Sequence, residues 1–145
     1  MTTVSAELTP GNETAVNTYK TSYQTAPCVR QLSDGSFVVV WQSYGQDGSQ
    51  DGIYAQLFDS TGARSGSEFR INTVTEGHQG YPQVTALNGG GFGVAWQADE
   101  ASGTNCDIKA QAYTNGGAAV GIEFRVNTYT NNSQNAPYVA ALTNG

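Results

Sequence analysis

The sequence predicts an all-β fold built from tandem four-stranded antiparallel, blade-like repeats. Three observations predict it. A gapless internal repeat runs through the chain, its short apolar segments alternate with a period of two between Gly-rich turns, and no stretch combines helical spacing with caps. The string Glu68-Phe69-Arg70-Ile71-Asn72-Thr73 returns as Glu123-Phe124-Arg125-Val126-Asn127-Thr128, and one period earlier the frame falls on Glu13-Thr14-Ala15-Val16-Asn17-Thr18. In the same frame Gln24, Gln79 and Gln134 align, as do Pro27, Pro82 and Pro137, Val29, Val84 and Val139, and Leu32, Leu87 and Leu142.

Each unit is expected to contain four strands. The first spans residues 82–87 and ends in the Gly-rich hairpin Asn88-Gly89-Gly90-Gly91, whose counterpart is Ser33-Asp34-Gly35-Ser36. Glycine supplies the positive φ that tight hairpins need. The second spans residues 92–97, where large Phe92, Val94 and Trp96 alternate with small Gly93 and Ala95. Its counterpart Phe37-Val38-Val39-Val40-Trp41 is apolar throughout, which predicts burial on both faces. The recurrence of Trp41 and Trp96 at one strand position predicts core packing. The third strand is expected at 108–113 and 53–58, and the fourth at 124–128 and 69–73. The recurrent Asn-Thr of strand four and the Gln of the following loop are expected to satisfy backbone groups between units.

Four strands in units of this length is the spacing of propeller blades, stacked radially or as a linear array. The chain divides into an N-terminal segment 1–10, a partial repeat 11–35, a repeat 36–90 and a repeat 91–145 that ends in an incomplete unit, about two and a half units in all. The 145 residues are thus not a whole number of periods. The last unit has a first strand, 137–142, without a second strand to pair with. Such an edge invites pairing with another chain. The expected self-assembly residues are Pro137, Val139 and Leu142 on that strand, and Val4 and Leu8 on an N-terminal segment that could be added to a neighbour. The expected partner is a further copy of the chain, in a ring or a fibre.

Composition narrows the function. Twelve acidic against six basic residues give a net charge of −6, which argues against nucleic acid. The longest apolar runs are a handful of residues, too short for membrane insertion as a helix, and no basic-then-apolar leader opens the sequence. One His and two Cys leave little for a His-based triad or a zinc site. His78 has Tyr23 and Ser133 as repeat counterparts, and the carboxylate pairs Asp47/Asp51 and Asp99/Glu100 lie in Gly- and Ser-rich loops, so the chain is expected not to be an enzyme.

Two ligand classes have candidate residues. Asp47-Gly48-Ser49-Gln50-Asp51-Gly52-Ile53 places oxygens at the first, third and fifth positions of a calcium loop, then glycine, then the Ile53 carbonyl. Ala55 and Phe58 stand where the later ligands would be, and the second copy has Ser102, Thr104 and Cys106 instead. The expected metal ligands are thus Asp47, Ser49, Asp51 and Ile53, with calcium as the ion. Tyr23, Tyr44 and Tyr81, read as loop residues, are the candidates for stacking on glycans. Cys28 and Cys106 fall on unlike elements and are expected to be free or to bridge neighbouring copies.

The strings Gly35-Ser36-Phe37-Val38-Val39-Val40-Trp41-Gln42-Ser43, Gly52-Ile53-Tyr54-Ala55-Gln56-Leu57-Phe58 and Glu68-Phe69-Arg70-Ile71-Asn72-Thr73 resemble the tandem repeats of large secreted bacterial surface proteins, adhesin-like chains often bearing calcium-binding RTX segments. The resemblance covers nearly everything from residue 11 to residue 145. It implies an extracellular or cell-surface, bacterial, non-catalytic module. The RTX glycine-aspartate nonapeptides themselves are not in the sequence.

Overall fold

The structure is a computed structural model and describes residues 13–99 and 105–142. Each full unit forms one antiparallel sheet. Strands β1 (Gln24–Gln31), β2 (Phe37–Tyr44), β3 (Asp51–Phe58) and β4 (Arg64–Arg70) pair in chain order, and β5 (His78–Ala86), β6 (Phe92–Asp99), β7 (Asp107–Tyr113) and β8 (Ala119–Arg125) repeat that order. Among the described residues there is no helix. The expected class, all-β with tandem four-stranded antiparallel blade-like repeats, is what the described residues adopt, as two four-stranded sheets.

The central hairpins fall where alternation places them. The outer strands do not. Strand four was expected at 69–73 and 124–128, but β4 and β8 end at Arg70 and Arg125. The Asn-Thr pair lies just beyond the strand because the Asn side chain replaces the ladder. Asn72 Oδ1 accepts the Ile53 N–H at 2.7 Å, and Asn127 Oδ1 accepts the Ile108 N–H at 2.7 Å. Strand one starts earlier than expected, so Gln24 and Gln79 belong to β1 and β5 rather than to a loop. Pairing begins before a bulge, with register shifts between Thr25 and Cys28 and between Gly80 and Gln83. Ala26 and Tyr81 sit there at φ 49 and 53, and the adjoining Pro27 and Pro82 have no N–H to withhold from the ladder.

The segment 134–142 has no strand partner among the described residues, so the expected strand 137–142 is extended chain without a ladder. It keeps the backbone of its counterparts all the same: Ala136 has φ 50, matching Ala26 and Tyr81.

The two sheets stack face on face, with β5 lying across β1, β2 and β3. The side chains alternate between two faces of each sheet. The back face of the first sheet carries Val38, Val40, Ile53, Ala55 and Leu57, joined by Ile71. The front face of the second carries Val84, Phe92, Val94 and Trp96, joined by Tyr113. Together these form one buried core. Both tryptophans are buried, as their shared position predicts. On β2 the back-facing Val38 and Val40 are fully buried, while front-facing Phe37 and Val39 are only half-buried. Burial on both faces, expected there, holds in part: front-facing Trp41 is buried, as are Tyr54, Gln56 and Phe58 opposite on β3, and the front of the first sheet opens toward β1.

Candidate functional site

The contact between the sheets defines a chemistry that each unit can present twice, once on each face. Fully burying a Val, Leu, Ile or Phe side chain contributes about 1.5–3 kcal/mol, so the apolar contact dominates. Polar bonds set its register. The Tyr113 hydroxyl donates to the Ile71 carbonyl at 2.9 Å, and burial of the phenol raises its pKa. The Tyr81 N–H donates to Gln42 Oε1 at 3.0 Å. Thr73 donates both its N–H and its hydroxyl to Glu123 Oε2, at 2.7 and 2.8 Å, clasping the end of one unit to the fourth strand of the next.

Counterparts of the core residues are exposed at the two ends of the stack. Val84 is 1% exposed inside the core, whereas its front-face counterpart Val29 is 59% exposed. Ile71 is 2% exposed, whereas its back-face counterpart Val126 is 53% exposed. Phe124 and Ile122 are also exposed on β8. A hollow of about 170 Å³ lies on the front of the first sheet, lined by Val16, Asn17, Gln24, Val39 and Trp41 among others.

Two segments outside the sheets lie against these ends. Residues 13–18 repeat 123–128, and Thr18 clasps Glu68 as Thr73 clasps Glu123, with its N–H at 2.7 Å and its hydroxyl at 3.0 Å from Glu68 Oε2. Residues 134–142 lie over the back of the second sheet. The Gln134 N–H donates to the Cys106 carbonyl at 2.8 Å, the Ala141 N–H donates to Thr85 Oγ1 at 3.2 Å, and Asn88 donates to the Leu142 carbonyl. Of the expected self-assembly residues, Pro137 and Val139 are half-buried and Leu142 is 68% exposed. Val4 and Leu8 lie outside the described residues.

Asp47, Asp51 and Ile53, among the expected calcium ligands, have partners within the chain. Asp47 Oδ1 accepts the Ser49 N–H at 3.2 Å, while Asp47 Oδ2 faces Asn72 Nδ2 at 3.5 Å. Asp51 turns the other way, across to the second unit, with its Oδ2 3.2 Å from His78 Nε2. The Ile53 carbonyl accepts the Ile71 N–H at 2.7 Å. Among the described residues no group of three or more His, Cys, Asp or Glu side chains is arranged to hold a metal ion. Burial raises the Asp51 pKa; His78 opposes that and Asp47 adds to it.

Two of the three tyrosines stack on each other, and the third lies beside His78. Tyr44 closes β2 and Tyr81 sits at the β5 bulge, so these two are strand residues rather than loop residues. Tyr23 stacks on Tyr44 with ring centroids 5.0 Å apart, and Tyr81 lies 6.4 Å from the His78 ring. All three are exposed around the Asp51–His78 pair. Cys28 and Cys106 are both free thiols.

The clasp residues Thr18, Glu68, Thr73 and Glu123 are not legible as partners in the sequence. Both types recur in the repeat, but a bond between residues so distant along the chain emerges only once the units are stacked. Compared with protein-family models, curated proteins and solved structures, the chain matches none.

Proposed function

We propose that the chain is a non-enzymatic, extracellular structural protein that associates with copies of itself through the faces of its β-repeat units. The observation that carries the reading is the contrast between equivalent residues. Ile71 and Val84 are buried between units, while Val126 and Val29 present the same chemistry to solvent. An exposed apolar face built like the two halves of an existing core is a docking surface. The test is the mass in solution of the full chain across a concentration series, by light scattering. Mass that rises with concentration is expected; a constant monomer mass would sink the reading.

A second reading, glycan binding, is favoured by one observation: exposed Tyr23 stacks on exposed Tyr44 beside Asp51, whose partner His78 lies next to exposed Tyr81. Aromatic rings offer apolar faces to sugars. The full chain should then retain hits on a glycan array that Tyr23→Ala and Tyr81→Ala lose. An array without hits removes this reading and leaves the first untouched.

A further inference from the structure

We infer that the partner of the exposed patches is a second copy docked head to tail, the front of its first sheet on the back of this chain's second sheet, with its Glu68 clasping Thr128. This rests on self-association and adds its polarity and register. The one contact between the two described units is heterologous: a back face meets a front face. The two exposed patches, around Val29 and around Val126, lie one on a front face and one on a back face. Val126 stands where Ile71 stands, and Val29 where Val84 stands, so a second copy repeats a contact the fold already makes. The clasp gives the register. Thr73 holds Glu123 and Thr18 holds Glu68, whereas the N–H and hydroxyl of Thr128 have no partner among the described residues.

The seats required by the second copy are held by segments that, among the described residues, belong to no sheet. Residues 123–128 of this chain and residues 13–18 of the second copy are counterparts and compete for Glu68. Asn127 is fastened to β7 through Ile108, while among the described residues 13–18 has no strand partner and is held by side-chain bonds, Arg64 to the Ala15 carbonyl at 2.6 Å and Asn17 Nδ2 to Gln24 Oε1 at 2.9 Å, so 13–18 yields. Likewise β1 of the second copy is paired with its β2, while 134–142 has no strand partner among the described residues, so 134–142 leaves its place on the second sheet. Val16 then gives way to Val126 in the hollow beside Trp41. The contact is directional and leaves one free face at each end, so it propagates unless the rotation closes a ring.

The test uses full-length chains carrying Val29→Asp or Val126→Asp, alone and mixed in equal amounts. Both positions are more than half exposed, so the folded chain accommodates a charge there. An unchanged circular dichroism spectrum checks this, and Val29→Lys and Val126→Lys serve as replacements. Each variant alone is expected to be monomeric, because each lacks one half of the contact. The mixture is expected to form pairs and stop, since the one competent junction uses both intact faces. Thr128→Val is expected to weaken association of the parent chain about ten- to a hundredfold, through loss of one hydroxyl donor to a carboxylate. A single-face variant that associates like the parent overturns the polarity while leaving self-association standing. A mixture that stays monomeric while the parent associates overturns the register, and an unchanged Thr128→Val overturns the clasp. A parent chain that never associates removes the reading beneath all of these and assigns the faces to a further unit of a longer chain.

Discussion

At the scale of single residues, repeat counterparts act as internal controls. Gly62 and Gly117 occupy the same turn position and share left-handed backbone, with φ +87 and +82. A side chain at either position meets the same backbone strain, about 1–2 kcal/mol. Their surroundings differ. A Cβ at Gly62 would meet nothing within 4 Å, whereas one at Gly117 would lie 3.1 Å from both Leu57 Cδ1 and Phe69 Cζ of the preceding unit. Gly117→Ala should therefore lose about 1 kcal/mol more than Gly62→Ala, the overpacking cost at a close-packed contact. Urea unfolding of the two variants measures the difference. Equal losses would show that the turn of one unit does not limit how closely its neighbour approaches. The two glycines look alike in the repeat alignment, and only the place of each unit in the stack separates them.

At the scale of elements, legibility follows from where each strand's pattern comes from. The central strands were legible because their alternation reflects burial alone: Phe92, Val94 and Trp96 face one side without interruption, and β6 starts at Phe92 as expected. The outer strands were misplaced because other forces set their ends. Ile71 and Val126 look like the continuation of a strand, yet Asn72 and Asn127 divert the backbone by taking a strand-three N–H with a side chain. The bulge at Ala26 and Tyr81 hid the first two residue pairs of β1 and the first three of β5, since it reverses the alternation that marks a strand. Candidate sites were less legible still. The Asp47–Asp51 spacing resembles a cradle when written in a line, but Asp51 opens β3 and reaches His78 of the other unit. Val29 and Val84 are one letter in the repeat, so no pattern within a unit announces that one is covered and the other is not.

At the scale of the whole molecule, charge and apolar surface act in opposite directions. Each chain carries a net charge of −6, so copies repel one another as they approach. The proposed contact is apolar at its centre, with Val29 and Val126 as its marked residues, and the clasp joins a carboxylate to uncharged donors. No attraction between opposite net charges is available to bring copies together. Screening should therefore strengthen association. Raising the ionic strength from about 0.01 to about 0.15 M shortens the Debye length from about 30 Å to about 8 Å, which removes most long-range repulsion and leaves apolar burial intact. Light scattering of the full chain at fixed concentration should show mass increasing over that range, and Val126→Asp should show no such increase. Mass that falls with added salt would mean that copies meet through complementary charges, and would move the contact away from the two exposed patches.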